Sequence, residues 1–281
     1  MDSTQALRLI WIEASIRQSP ALSNELEATV PTGFIGLKQI HLSLLAATVA
    51  IVPCVLLLGC SSPGNAPPSS SPPGVQKSYT TSFSLAEDPL SEGENWINGG
   101  TAGLDWANVQ TVPGLAFGAQ SGSHGYDDST AILAGVWSPN QMVQATVHAV
   151  NQHSDPVFEE VELRLRTTIT PHKITGYEVN FRCTSDGSQY IQIVRWDGPF
   201  GHFTYVSNTT GPGLHDGDIV KAVVSGSEIT VYLNGTQVLQ GSDGTFATGS
   251  PGIGFFLQGT TGVNRDFGFT NVTAANLATA N

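Results

Sequence analysis

The chain has 281 residues, enough for one large domain or two small ones, and only 12% of them are charged against roughly 25% in an average soluble domain. Its net charge of −12 argues against a nucleic-acid role, because phosphate binding needs clustered Lys and Arg, and no basic stretch is present for an anionic membrane surface. Of the cysteines Cys54, Cys60 and Cys183, only the last lies in the part that reads as folded, so an intradomain disulfide and a cysteine-built metal site are both excluded.

In chain order, residues 1–36 are not strongly basic and contain Glu13, Glu25 and Glu27. They read as an upstream extension from a misplaced start, with the working sequence opening at Leu37-Lys38-Gln39; any peptide from residues 1–36 seen by mass spectrometry would overturn this. Leu42 to Leu58 is an apolar run broken only by Ser43, Thr48 and Pro53. At 17 residues it barely reaches across a bilayer, and Pro53 and its small-residue end favour a cleaved signal over a spanning anchor. The run ends Leu57-Leu58-Gly59-Cys60, which resembles the lipobox of bacterial lipoproteins. The resemblance implies a signal over residues 37–60, cleavage before Cys60, a lipid anchor on its thiol and a place in the cell envelope. Ser61 after the cysteine leans by the same resemblance towards the outer membrane. Residues 61–77 are rich in Pro and Ser without apolar period, and read as an extended spacer.

A single all-β domain is expected over residues 78–275, followed by a short tail, residues 276–281. Period-2 alternation marks the strands, because it places one set of side chains on the core face and the other opposite. The early strands are expected at Ser78–Leu85, Leu115–Ala119 and Thr130–Leu133. Gln141–Val150 alternates Val143, Ala145, Val147 and Ala149 with polar residues including His148. Glu160–Arg166 sets Val161, Leu163 and Leu165 against Glu160, Glu162, Arg164 and Arg166. Tyr177–Cys183 sets Tyr177, Val179, Phe181 and Cys183 against Glu178, Asn180 and Arg182, and Cys183 is expected as a small core residue. Tyr190–Trp196 carries Ile191 and Ile193 on one parity and Tyr190, Gln192, Val194 and Trp196 on the other. Further strands are expected at His202–Ser207, Ile219–Ser225, Ile229–Leu233, Gln237–Gln240, Gly252–Leu257 and Phe267–Val272. Turn pairs such as Asp186-Gly187 and Asn234-Gly235 separate them. About a dozen short antiparallel strands imply a two-sheet sandwich or jelly roll.

Gly217-Asp218, then Val231-Tyr232-Leu233-Asn234-Gly235, then Gly252-Ile253-Gly254 resemble the concanavalin A-like lectin/glucanase superfamily in its laminin-G-like branch. Members bind or cut carbohydrates, and some bind proteins, usually on one concave sheet. The resemblance implies that the middle strands form that sheet here. Their polar parity, Glu160, Glu162, Arg164, Glu178, Asn180, Arg182, Tyr190, Gln192 and Trp196, together with His148, would then line a groove for a polysaccharide or glycan. Aromatic faces suit sugar C–H surfaces, and amide and guanidinium groups suit hydroxyls. A solvated sheet face with Glu and Arg paired across strands is the bland alternative.

Enzymatic readings meet incomplete motifs. Hydrolases of the superfamily resemble Glu160-Val161-Glu162-Leu163-Arg164, but Arg164 stands where their general acid belongs. Alginate lyases resemble Glu162-Leu163-Arg164 and Gln192-Ile193-Val194, but Val194 stands in place of the catalytic His, so no catalytic residue is assigned. A structural, adhesion or protein-binding module suits a lipid tether equally. No cofactor is expected; calcium is an option at Asp127-Asp128 or at Asp216-Gly217-Asp218. The histidines His124, His153, His172, His202 and His215 share no ligand spacing and receive no role.

Overall fold

A computed structural model describes residues 77–123 and 125–278. Cys60, the signal, residues 1–36, nearly all of the spacer, His124 and the last three residues lie outside the described residues.

Two antiparallel sheets face one another. The first has the spatial order β13 (Thr236–Ser242), β12 (Glu228–Leu233), β11 (Ile219–Ser225), β6 (Gln141–Ala149), β15 (Phe267–Asn276), β4 (Leu115–Phe117) and β3 (Gln110–Val112), with β1 (Ser78–Thr81) also paired to β15. The second has the order β10 (Phe203–Thr209), β9 (Ile191–Gly198), β8 (Lys173–Arg182), β7 (Phe158–Thr170), β14 (Ser250–Gln258), β5 (Ser129–Leu133) and β2 (Trp96–Asn98). The expected all-β sandwich is therefore what the chain forms. Among the described residues the single helical element is a 3₁₀ turn, Asn264–Asp266.

Alternation builds the core. From the first sheet Val143, Ala145 and Val147 of β6, Val220, Ala222 and Val224 of β11, and Ile229 and Val231 of β12 point inward. They meet Val161, Leu163 and Leu165 of β7, Tyr177, Val179 and Phe181 of β8, and Ile253, Phe255 and Leu257 of β14. Cys183 is buried among them with a free thiol, as expected. The β12–β13 hairpin turns at Asn234-Gly235 with φ of 51° and 80°, the positive pair that an Asn-Gly turn supplies without strain.

Two expectations about facing fail. His148 lies on β6 in the first sheet, where it hydrogen-bonds Asp216, so it cannot join a groove on the second. Arg166 leaves the parity of Arg164 because β7 carries a bulge between Leu165 and Thr168, with Arg166 at φ 48°. Its guanidinium donates instead to the carbonyls of Pro139, Phe246 and Gly226. Gly176 and Gly249 flank the bulge, and a Cβ on either would lie 2.6 Å or less from the Arg166 backbone. Strands β2 and β3, of three residues each, have no period long enough to be read from sequence.

Candidate binding face on the second sheet

Strand register brings eight of the nine expected residues together on the outward side of the second sheet, the side away from the core, and Tyr190, just before β9, joins them through its hydroxyl on Glu160. One rung runs Asn208, Gln192, Asn180, Glu162, Gly254 and Thr130 from β10 to β5. The next runs Tyr205, Val194, Glu178, Arg164, Gly252 and Ile132. Phe203, Trp196 and Gly176 continue the pattern on one flank, and Glu160 with Arg182 on the other.

Most of this face is buried rather than solvated, including Glu160, Glu162, Arg164, Glu178, Asn180, Arg182 and Trp196. Gly99 to Val109 crosses above it as a strap. Gly99 donates to the Thr130 carbonyl at 2.8 Å, Thr130 donates to Ala107, and the His172 amide donates to Gly103. The strap lowers Leu104 and Trp106 onto Ile174, Val194 and Trp196, forming a second apolar cluster. The Trp106 and Trp196 rings meet edge-on at 4.6 Å, and the Arg164 guanidinium lies 5.1 Å from the Trp106 ring.

Beneath the strap, Arg164 is 0% exposed and binds three carboxylates. Its Nη2 donates to Asp128 at 2.9 Å, to the Thr130 hydroxyl at 3.1 Å and to Glu162, and its Nη1 donates to Glu178. The Trp196 indole N–H donates to the same Glu178 oxygen. Gly254 makes this possible: a Cβ there would sit 2.1 Å from the Glu162 carboxylate and 2.9 Å from Arg164. Burial raises Asp128 well above the usual carboxylate range, with nearby Glu178 adding to the shift and Arg164 opposing it. Burial likewise raises Glu162 against the pull of Arg164. Burial pulls Arg164 down, but Glu162, Glu178 and Asp128 outweigh it and hold the guanidinium above its ordinary value.

Glu160 stands apart from that knot. Burial brings its carboxyl up to about 7, against the hydrogen bond donated by the Tyr190 hydroxyl. Arg182 turns to the backbone, donating to the carbonyls of Ser188 and Val157 at 2.9 Å each, and pairs with Asp155 at 2.7 Å.

Asp128, Glu162 and Glu178 each offer one oxygen, all within 4.8 Å of one another. The Arg164 guanidinium already stands in the place of a cation, so a calcium ion would have to displace it, and the donor set as built fits an arginine. The other carboxylates considered for calcium are engaged: Asp127 with Gln120, Asp216 with His148 and the Ala149 amide, and Asp218 with Asn234 and the His215 amide.

Where the strap stops, the face opens onto aromatic rings. Tyr205, Phe200 and Tyr126 are 46%, 42% and 36% exposed. Half-buried Phe203 joins them: its ring lies 5.4 Å from Tyr205, 5.2 Å from Tyr126 and 5.2 Å from Trp196, and Tyr126 lies 6.3 Å from Phe200. Half-buried Gln192 and exposed Asn208 adjoin this ledge. Sequence reasoning missed the ledge, Trp106 and the role of Asp128. The signal for part of it was present, since Phe203 and Tyr205 alternate within the strand expected at His202–Ser207.

No family model and no curated protein matches the chain. The sandwich is similar in solved structures to the carbohydrate-binding module CBM66 from Bacillus subtilis, at 12% identity over 67% of this chain and 96% of that one, with a TM-score of 0.44. It is similar to the potassium-bound carbohydrate recognition domain of Emp46p, at 10% identity over 69% and 94% of the two chains and a TM-score of 0.47. It is similar too to the beta-porphyranase BpGH16B from the human gut bacterium Bacteroides plebeius, at 12% identity over 73% and 94%, with a TM-score of 0.41. Likenesses at this level leave the site to be read from its own residues.

Proposed function

We propose that the chain is a lipid-tethered, extracytoplasmic carbohydrate-binding module that takes a polysaccharide on the outward face of its second sheet. The observation that carries this reading is the exposed ledge of Tyr126, Phe200, Phe203 and Tyr205, bordered by the Gln192 and Asn208 amides. A sugar ring presents an apolar C–H face and a polar hydroxyl rim, and rings beside planar amides match both. Binding moves from the strapped centre, where the notional groove residues are tied to one another, to the β9–β10 flank.

The test is native affinity electrophoresis of the full chain in detergent through gels holding polysaccharides. Retardation is expected, and Tyr205→Ala is expected to weaken it about tenfold, the loss of about 1.4 kcal/mol of stacking. An unchanged affinity in Tyr205→Ala would remove the ledge from the site.

A hydrolase or lyase is the second reading, favoured by Glu160, whose carboxyl near 7 suits a general acid. Its partners do not: Glu162 and Glu178 are both bound to Arg164. New reducing ends or unsaturated products in the same incubations would favour it. The tether and its outer-membrane placement rest on the sequence around Cys60. Metabolic labelling with a radioactive fatty acid is expected to mark the chain and to fail in Cys60→Ala; equal labelling of both would refute the anchor.

A further inference from the structure

We infer that the ledge selects uncharged polysaccharides and rejects uronate and sulfated ones. This rests on the carbohydrate-binding reading and adds the ligand's charge to it.

An acidic sugar needs a free cation on the face that takes it. A carboxylate or sulfate on a glycan is recognised by a guanidinium or ammonium with N–H groups to give. Among the described residues, the outward face between β5 and β10 carries two guanidiniums, and both are buried with their Nη groups engaged. Arg164 is enclosed by Asp128, Glu162 and Glu178 beneath the strap. Arg182 is buried, with its Nη groups on the Ser188 and Val157 carbonyls and on Asp155. Freeing either would leave buried acceptors unmatched, a cost that a surface sugar does not repay.

Four carboxyl groups, Asp128, Glu160, Glu162 and Glu178, lie beside the two arginines. At the rim, Lys173 lies along Gly198, and Arg195 is paired with Asp197 and Asp243. Beyond Cys60 the chain holds 8 Lys and Arg against 19 Asp and Glu, a balance of −11. With a balance of −11 beyond Cys60, a polyanion meets repulsion on approach; neither guanidinium of the face is free to hold it on arrival, and the exposed Lys173 at the rim is a single ammonium against that balance. The ledge asks for no charge: Tyr205 and Phe200 offer ring faces, and Gln192 and Asn208 each offer both a donor and an acceptor.

The experiment runs the full chain in detergent through native gels containing laminarin, xyloglucan or galactomannan as neutral probes. Alginate, polygalacturonate and carrageenan serve as anionic probes and chitosan as a cationic one, each at low and at physiological salt. The expected result is retardation by at least one neutral polysaccharide, unchanged by salt and about tenfold weaker in Tyr205→Ala, with no retardation by the three polyanions. Retardation by a polyanion, or by chitosan alone, would overturn the charge selection and leave carbohydrate binding standing. No retardation by any probe would overturn both.

Discussion

Replacing Arg164 by methionine is expected to lower the stability of the domain by about 3–5 kcal/mol at pH 8, the usual cost of removing one partner from a buried ionic group. The residue holds Asp128, Glu162 and Glu178, whose oxygens lie within 4.8 Å of one another in a site closed to water by the strap. Without the guanidinium these carboxyls can stay buried only by taking up protons, since like charges at this distance in a low dielectric repel strongly. The variant should therefore recover part of its loss at pH 5. Urea unfolding at both pH values measures this; a loss below about 1 kcal/mol would mean that the knot contributes little. A coupled replacement of Arg164 and its three carboxylates by apolar and amide residues should cost less than Arg164→Met alone, because no charge is then stranded.

Glu160→Gln is expected to act in the opposite direction. Its carboxyl titrates near 7 in the folded chain and at its ordinary value of 4.5 when unfolded. Below pH 4.5 the carboxyl is protonated in both states, and its contribution does not vary with pH. Between those values the folded chain holds a proton that the unfolded chain has released, so stability falls as pH rises, and above about 7 the loss is complete. The difference amounts to about 3 kcal/mol. Glutamine still accepts the Tyr190 hydroxyl but carries no charge, so the variant should gain on the wild type progressively from pH 5 to pH 8. Asp128 and Glu162, also raised by burial, tilt the wild type the same way and leave a residual slope in the variant. Parallel stability curves for the two chains would show that Glu160 is not held near neutrality.

The two sheets and the facing of most strands were legible because a half-buried strand must alternate. Ile219–Ser225 was read to the residue, and β6, β8 and β12 within a few positions. Alternation also grouped Glu162, Arg164, Glu178, Asn180, Gln192 and Trp196 on one face, which the register bears out. Three things escaped it. A bulge changes parity without changing composition, so Arg166 went to the wrong side of β7. Pairing between distant strands is not written in either one, so His148 was assigned to the wrong sheet. Burial of the polar face depends on the strap from Gly99 to Val109, which has no period and no length signal, and which turns what reads as a solvated groove into a closed ionic knot.

The strand order has a consequence for a chain that is synthesised from one end. β14 lies between β7 and β5 in one sheet, and β15 lies between β6 and β4 in the other. Until β14 and β15 have appeared, each sheet lacks the strand that joins its two parts, and β1 has no strand to pair with. Neither sheet can be completed early, since the missing strands are central rather than peripheral. Pairings between strands so distant in sequence are slow to form, so such an arrangement favours completion late and as a whole. A polypeptide built this way keeps its edges unpaired, and its core open, until β14 and β15 have both emerged.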